Sequence, residues 1–298
     1  MGKMFEALQK VEREKIRESE PDVPETAPDQ MVLDENMVSY FLPESVASEQ
    51  FKKLRTHLFK ESLHSKEIPR TILVTSTTSG EGKTFVAVNL AITLATDLQK
   101  YALLVDCDLR NPSFSRWFGL SDRKGLSNYL QGENDISELL IKTNIDKLTL
   151  FCGGPANQDN PVELIGSRKM ESLVSELNAR YPDRYIIIDS PPLLATTEPT
   201  VLMKMVDAIL FVVRAGQTPR DSVMQAIKGI DKKKIIGVVL NDIEFKTSSL
   251  NSRYFGSRDG YYGYYSKMRK PQPKGWKKWV AVPRFFKKKH FRPGENVK

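Results

Sequence analysis

A glycine-rich stretch followed by lysine and threonine is the part of the sequence best suited to bind an anion and act on it. In TILVTSTTSGEGKTFVAVNL, Gly80 and Gly82 can adopt backbone angles that turn consecutive N–H groups toward an anion. A helix that begins near Lys83 adds the positive end of its dipole. Lys83 is placed to reach the β- and γ-phosphates of a nucleotide, and the Thr84 hydroxyl to ligate Mg²⁺. The stretch therefore predicts a nucleotide-phosphate loop, with an ordinary strand-to-helix turn as the plainer alternative.

Three aspartates follow apolar runs elsewhere in the chain. Asp106 and Asp108 end the sequence YALLVDCD, and Asp189 ends YIIID. Because side chains alternate along a strand, we expect Asp106 and Asp108 to project the same way and Cys107 the opposite way. Carboxylates so close together are costly unless a cation or hydrogen-bond donors offset them. The aspartates are therefore candidate Mg²⁺ ligands, the alternative for Asp108 being that it caps the turn that follows it.

These residues need a fold that brings the ends of several strands together. Near-continuous apolar runs alternate with helical periods, which is typical of a mainly parallel sheet with helices on both faces. The predicted strands are 72–74, 102–105, 148–152, 185–189, 208–213 and 235–240, and the predicted helices are 45–59, 83–94, 125–130, 136–141, 162–177 and 221–230. We therefore expect an α/β fold of the doubly wound P-loop type with flexible amino- and carboxyl-terminal tails. Ligands of such sheets bind beyond the carboxyl ends of the strands, where Asn241 would join the loop and the aspartates.

The composition excludes several classes of protein. The chain has 298 residues, of which 40% are hydrophobic, so it can bury a sizeable core. No apolar run approaches the length of a membrane-spanning helix, and the amino terminus lacks the apolar region of a signal peptide, so we expect a cytoplasmic protein. Cys107 and Cys152 have no metal-ligand spacing with the three histidines, which favours buried reduced thiols.

The two ends of the chain differ from its middle. Residues 266–298 hold twelve Lys and Arg and one Glu, a net charge of +11, so the chain's net charge of +8 leaves 8 − 11 = −3 on residues 1–265. Residues 1–20 fit either a small docking helix or a solvated helix, and 21–34 is a proline-containing acidic linker. The predicted organisation is a helix and linker (1–40), a nucleotide-binding domain (41–250), a tyrosine-rich segment (251–265) and a basic tail (266–298).

Five of the ten tyrosines lie within twelve residues near the carboxyl terminus. These are Tyr254, Tyr261, Tyr262, Tyr264 and Tyr265, and the glycines among them break both the helical and the strand period. We expect a segment that exposes its phenols, or else an aromatic stretch that packs weakly or self-associates. The basic tail suits an anionic membrane surface, at about 1 kcal/mol per basic residue, better than nucleic acid, and a merely solvated tail is the neutral alternative.

Four motifs occur in order along the chain, namely VTSTTSGEGKT, LLVDCDLRNP, IIIDSPP and YFGSRDGYYGYY. They resemble the Walker A, Walker A′ and Walker B motifs and the terminal tyrosine cluster of the bacterial tyrosine kinases (BY-kinases), the autokinases of capsule and exopolysaccharide synthesis. The resemblance implies an ATP- and Mg²⁺-dependent protein-tyrosine kinase that phosphorylates its own tyrosine cluster between subunits.

The resemblance also implies roles for individual residues. Those expected to be catalytic are Lys83, Asp106, Asp108 and Asp189, and Asp106 is also the candidate to receive or orient the tyrosine hydroxyl. Those expected around the nucleotide are Ser79, Gly80, Glu81, Gly82, Lys83, Thr84, Phe85 and Asn241. Those expected around the metal are Thr84, Asp106, Asp108 and Asp189. The expected phosphate acceptors are Tyr254, Tyr261, Tyr262, Tyr264 and Tyr265.

Partners follow from the same resemblance. The family's E-x-x-R-x-x-R helix, which contacts a neighbouring subunit in ring-shaped assemblies, occurs here as Glu49, Lys52 and Arg55. Lysine at the middle position cannot make a bidentate guanidinium contact. A separate transmembrane activator of the chain-length-regulator class is expected at the inner face of the plasma membrane. Two other departures are Thr77, in place of the first glycine of G-x-x-x-x-G-K-[ST], and Ser79, where the family often has proline.

Two other functions are consistent with the same sequence. A Min- or Par-type ATPase, a nucleotide-switched dimer on membrane or DNA, shares the sheet and the Walker elements. Its signature lysine would fall at Thr78, however, where the chain has no lysine. A non-catalytic nucleotide-binding adaptor is the third reading, and the complete set of acids argues against it.

Overall fold

The computed structural model describes residues 31–60, 69–97, 100–120, 123–156, 159–180 and 183–243. The predicted amino-terminal helix, the tyrosine cluster and the basic tail lie outside these residues. In the described part of the chain, no helix is both long and apolar enough to cross a membrane.

Seven strands of the described chain form one sheet. They are β1 (Thr71–Ser76), β2 (Tyr101–Asp106), β3 (Leu140–Lys142), β4 (Leu148–Phe151), β5 (Arg184–Asp189), β6 (Ala208–Arg214) and β7 (Ile235–Asn241). Their spatial order is β3-β4-β2-β5-β1-β6-β7. Only the β3–β4 pair is antiparallel among these strands. The mainly parallel α/β sheet expected from the sequence is confirmed, and its central strands are buried because helices cover both faces.

Each face of the sheet has its own apolar core, because alternate strand residues point to opposite sides. Ile72 and Val74 belong to one core, and Leu73 to the other. The described helices are α1 (Val38–Phe41), α2 (Val46–Lys60), α3 (Lys83–Ala95), α4 (Phe114–Trp117), α5 (Leu126–Gln131), α6 (Ile136–Leu139), α7 (Pro161–Ile165), α8 (Arg168–Arg180), α9 (Glu198–Met205) and α10 (Arg220–Lys228).

Helix α3 is the central helix of the first core. All of its residues from Val86 to Ala95 are buried, so the helix is covered on all sides instead of on one apolar stripe. A buried asparagine ties the preceding segment to it, since Asn89 Oδ1 accepts from Ser39 N–H at 2.9 Å and Asn89 Nδ2 donates to the Asn36 carbonyl at 3.0 Å. The helix that starts at the glycine loop is therefore held on several sides.

Helices α1, α4 and α9 were not predicted from the sequence, and three predicted elements differ in the structure. The predicted helix 136–141 ends at Leu139, because residues 140–142 pair with β4 as strand β3 and bury two apolar side chains. The predicted helix 162–177 is two helices, since the chain turns at residues 166–167 and the Ser167 hydroxyl accepts from Met170 N–H at the start of α8. Strand β7 lies at the sheet edge, so Val238 and Leu240 are 58% and 54% exposed rather than covered on both faces.

Candidate active site

The phosphate loop, residues 77–84, joins β1 to α3 at the carboxyl edge of the sheet. Gly80 and Gly82 have φ angles of 84° and 89°, which residues with side chains rarely adopt. Lys83 is the first residue of α3, so the positive end of the helix dipole lies at the loop. A Cβ on Gly82 would collide with the side chain of Asn241. The loop thus has the backbone form of an anion cradle.

Glu81 is a buried glutamate that braces the loop from within. Its carboxylate accepts a hydrogen bond from Thr78 N–H at 2.8 Å and another from the Thr218 hydroxyl. Its carbonyl accepts from Asn241 Nδ2 at 2.9 Å. The sequence indicated Glu81 and Asn241 as neighbours of the nucleotide but gave no signal for Thr218, which follows β6. The loop is therefore anchored to the strands beside it.

Asp106 and Asp189 meet at the ends of two neighbouring strands. They are register partners across β2 and β5, and both side chains are fully buried. One oxygen of Asp106 accepts from the N–H groups of Ser113 and Phe114 at 2.8 and 3.1 Å, and the other from Asp108 N–H at 3.1 Å. Asp106 therefore fixes the loop that follows β2 and, with it, the position of Asp108.

Lys83 and Thr84 reach the aspartates from the first turn of α3. Lys83 Nζ lies 3.2 Å from Asp108 Oδ2. The Thr84 hydroxyl donates to Asp189 Oδ2 at 2.6 Å. The other oxygen of Asp189, Oδ1, is buried without a hydrogen-bond partner among the described residues. The structure thus brings together the phosphate loop and all three predicted aspartates.

Burial and mutual repulsion set the charge of this site. Burial raises the pKa of Asp106 to about 7, and the negative charge of Asp189 adds to the rise. Burial also raises the pKa of Asp189 to about 6, although the charge of Lys83 and the hydrogen bond from Thr84 oppose it. Burial alone would lower the pKa of Lys83, but the attraction of Asp189 and Asp108 outweighs it and the pKa is raised. The site therefore has carboxylates that an added cation would stabilise.

The donor atoms fit Mg²⁺ held together with a nucleotide. The unpartnered Oδ1 of Asp189 and the hydroxyl of Thr84 are hard oxygen donors of the kind Mg²⁺ prefers. Across the described ranges, no three His, Cys, Asp or Glu side chains form a ready-made metal cage. Mg²⁺ commonly takes only one or two carboxylates and completes its shell with water and phosphate oxygens. A few oxygen donors beside a phosphate loop are therefore what a Mg²⁺ ion bound together with a nucleotide requires.

Three other residues discussed from the sequence are Ser79, Phe85 and Cys107. Ser79 is exposed on the loop. The Phe85 ring packs against Phe51 of α2, with 5.7 Å between the ring centroids. Cys107 is a buried free thiol in the second core, and burial raises its pKa well above the usual value, so it is not a reactive group of this site.

The predicted subunit-contact residues make contacts within the chain. Lys52 Nζ lies 3.5 Å from Glu49 Oε2 on the same helix. Arg55 Nη1 donates to the Thr93 carbonyl at 2.8 Å, near the carboxyl end of α3. Arg55 therefore joins α2 to the end of the helix whose first residues are Lys83 and Thr84.

An ion pair that the sequence did not indicate joins the segments after β2 and β5. Arg110 Nε lies 2.7 Å from Oε1 of Glu198, the first residue of α9. Arg110 belongs to the LLVDCDLRNP motif, but no pattern in the sequence marked Glu198, because the two residues are 88 positions apart.

The chain is similar in sequence and in structure to several known proteins. A family profile described as AAA domain matches residues 69–239. YwqD, a tyrosine-protein kinase of Bacillus subtilis, is 30% identical over 233 residues, which make up 78% of this chain and 92% of YwqD. The kinase domain of the Escherichia coli tyrosine kinase ETK has a TM-score of 0.64 at 27% identity, over 72% of this chain and 82% of that one. The chimeric protein CapA2B2 has a TM-score of 0.63 at 30% identity, over 70% of this chain and 89% of that one.

The proteins of the Min/Par class are only distantly similar to this chain. The septum site-determining protein MinD of Pyrococcus horikoshii is 23% identical with a TM-score of 0.47, over 57% of this chain.

Proposed function

Since the chain belongs to the bacterial tyrosine-protein kinases, we propose that it transfers the γ-phosphate of ATP to its own carboxyl-terminal tyrosines, in trans between subunits. The observation that carries this proposal is the joining of the phosphate loop to the aspartates. Lys83 contacts Asp108 and Thr84 contacts Asp189, so a triphosphate on the loop would have its terminal phosphate beside the carboxylates. The tyrosines proposed as acceptors are Tyr254, Tyr261, Tyr262, Tyr264 and Tyr265.

ATP and Mg²⁺ suit the groups on this edge of the sheet. Lys83 keeps its positive charge, because nearby carboxylates raise its pKa, and it would bind the β- and γ-phosphates. Thr84 and Asp189 would hold Mg²⁺ directly or through water, with Asp106 and Asp108 completing the acidic shell. When bound, Mg²⁺ neutralises charge on the transferring phosphate. The remaining residues proposed to line the nucleotide are Ser79, Gly80, Glu81, Gly82, Phe85 and Asn241.

Phosphoryl transfer requires little covalent chemistry from the protein itself. The phenol oxygen forms a bond to the γ-phosphorus, the bond from that phosphorus to the β–γ bridging oxygen breaks, and ADP leaves with that oxygen. The phenol proton passes to Asp106 or to water. Burial raises the pKa of Asp106 to about 7, which suits a group that accepts a proton near neutral pH.

We propose the domain organisation that the sequence predicts. We assign the kinase domain to residues 41–250, which include every described strand, the acceptor segment to 251–265 and the basic tail to 266–298. We propose a homo-oligomer in which Glu49, Lys52 and Arg55 contact a neighbouring subunit. Such a contact would require Arg55 to exchange or share its bond to the Thr93 carbonyl.

The proposed setting is a membrane complex of polysaccharide synthesis. By resemblance, the activator is a transmembrane protein of the chain-length-regulator class, and the regulated process is synthesis or export of capsule or exopolysaccharide. The basic tail would bring the chain to the anionic inner face of the plasma membrane. Nucleic acid is not part of the proposal.

Phosphopeptide mapping of the full-length chain tests the proposal. After incubation with ATP and Mg²⁺, with the activator's cytoplasmic peptide if required, we expect phosphate on the tyrosine cluster. Lys83→Ala is expected to lose it, because the variant removes the charge that binds the phosphates. Lys228→Ala, which removes an exposed lysine from the last turn of α10, is the matched control and is expected to keep it. Wild-type protein that gains no phosphate on the tyrosine cluster, or Lys83→Ala that does gain it, contradicts the proposal.

A further inference from the structure

A buried glutamate holds Arg110 at the rim of the site. Arg110 Nε lies 2.7 Å from Glu198 Oε1, and the Glu198 side chain is 1% exposed whereas that of Arg110 is 49% exposed. Arg110 lies two positions after Asp108 in the segment that follows β2, and Glu198 begins α9 after β5. The ion pair therefore connects the segments that follow the two strands ending in Asp106 and Asp189.

This contact orients the guanidinium and leaves part of it available. Among the described residues, Nη1 and Nη2 of Arg110 have no hydrogen-bond partner, while Nε is fixed by Glu198. Burial would raise the pKa of Glu198, but its own backbone N–H and Arg110 lower it, so Glu198 stays ionised. A guanidinium held at one edge and free at the other matches the oxygens of a phosphate.

The proposed acceptor segment contains few anions of its own. Between residues 251 and 266 the only acid is Asp259, yet adjacent tyrosines occur twice, at 261–262 and 264–265. Each transfer gives a tyrosine about −1.5 to −2 of charge near pH 7 and three strong acceptor oxygens. The most abundant anion beside an acceptor tyrosine is therefore the phosphate that the enzyme itself adds.

We propose that Arg110, positioned by Glu198, binds the phosphate of an already phosphorylated tyrosine and thereby favours transfer to the tyrosine next to it. The inference rests on the proposed function, because it concerns the second transfer within a tyrosine pair. The bonds made and broken are those of the first transfer, with a new phenol oxygen–phosphorus bond, ADP as the leaving group and the phenol proton released to Asp106 or water. The two tyrosines of a pair are then phosphorylated together rather than singly.

The test uses the full-length chain with its five cluster tyrosines changed to phenylalanine, so that self-phosphorylation does not compete. The substrates are peptides of residues 256–268 in which Tyr261 is the only acceptor, residues 264 and 265 being phenylalanine. Position 262 carries phenylalanine, phosphotyrosine or glutamate. We expect kcat/KM for the phosphotyrosine peptide to exceed that for the phenylalanine peptide about tenfold, as one charge-assisted contact provides. The glutamate peptide is expected to fall between them.

Variants of the ion pair separate this subsite from the rest of the site. Arg110→Gln is expected to reduce the ratio of the two kcat/KM values to about one. Arg110→Lys, which keeps a charge beside Glu198 but loses the forked geometry, is expected to give an intermediate ratio and guards against misfolding of the first variant. Arg116→Gln, at an exposed arginine of α4, is the control and should keep the full ratio.

Three outcomes would overturn the inference. The first is a wild-type ratio of one in an active enzyme. The second is an equal loss with both peptides in Arg110→Gln, which would assign Arg110 to the nucleotide or to its loop. The third is a glutamate peptide as good as the phosphotyrosine peptide. If no peptide is phosphorylated and the unaltered chain does not phosphorylate itself, the proposed kinase function fails instead.

Discussion

Replacement of Asp189 by asparagine is expected to stabilise the nucleotide-free protein while abolishing phosphoryl transfer. Asp189 is fully buried next to another carboxylate, and its Oδ1 lacks a hydrogen-bond partner among the described residues. Asparagine still offers an oxygen to the Thr84 hydroxyl, and its NH₂ group would take the place of the unpartnered Oδ1 without a negative charge. The change thus removes an unfavourable buried charge that the site needs only when a cation is bound.

The size of the effect follows from the pKa of Asp189. Burial raises that pKa from 3.8 to about 6 in the folded state, so the folded chain holds the proton more tightly than the unfolded chain. Ionised Asp189 therefore lowers the free energy of unfolding by an amount that grows as the pH rises from about 4 to beyond 6. At pH 8 the penalty is up to about 3 kcal/mol, and at pH 4 it is below about 1 kcal/mol. For a domain of this size, 3 kcal/mol corresponds to roughly 6–12 °C in Tm.

Thermal unfolding at pH 8 and pH 4, with and without Mg-ADP, measures this prediction. Without nucleotide at pH 8, Asp189→Asn should unfold at a higher temperature than wild type, and the difference should shrink at pH 4. With Mg-ADP at about 100 times its Kd, wild type should gain about 2.7 kcal/mol and the variant less, because it has lost a metal ligand. Asp221→Asn, an exposed aspartate in the first turn of α10, is the control and should not be stabilised. A nucleotide-free Asp189→Asn no more stable than wild type at pH 8 would refute the reasoning.

Three further changes test separate parts of the structure. Gly82→Ala should cost roughly 1–3 kcal/mol of stability and most of the nucleotide affinity, because φ is 89° and the new methyl would collide with Asn241; unfolding in urea and nucleotide titration measure both. Glu81→Gln should weaken nucleotide binding about tenfold with little change in fold, because one of its two donors loses its acceptor; equal affinity by calorimetry would contradict the bracing role. Deletion of residues 267–298 should weaken binding to anionic liposomes and leave ATP binding intact, and unchanged liposome binding would remove the membrane role of the tail.

The central part of the fold could be predicted from the sequence because parallel strands buried on both faces are nearly continuous apolar runs. The run YIIID in β5 and the run ALLV in β2 are of this kind, and their order with the glycine loop defined the sheet. Strand β3 could not be predicted in this way. Its three residues continue a helical period, and only pairing with β4, a contact set by tertiary structure, makes them a strand.

The site was predictable where chemistry depends on neighbours in sequence. Lys83 and Thr84 directly follow the glycine loop, and Asp106 and Asp108 lie two positions apart at the end of a predicted strand. Because the loop and the strand end lie at the same edge of a parallel sheet, the sequence predicts that these residues lie close together. The contacts between Glu81 and Thr218 and between Arg110 and Glu198 span 137 and 88 positions. Such pairs carry no local signal, because each residue alone is an ordinary charged or polar residue of a loop or helix end. The fold alone brings them together.

The most direct test of a kinase with this site is to quantify, in one reaction, the ADP formed from ATP and the phosphate that is released or transferred to tyrosine. Full-length protein is incubated with ATP and Mg²⁺, and ADP, inorganic phosphate and phosphotyrosine in residues 251–265 are quantified over time. If the chain is an autokinase, ADP and phosphotyrosine rise together, near one to one, until the cluster is filled, and little inorganic phosphate forms. ADP that accumulates with equal inorganic phosphate while the tyrosines stay unmodified would show a nucleotide-switched ATPase and contradict the account.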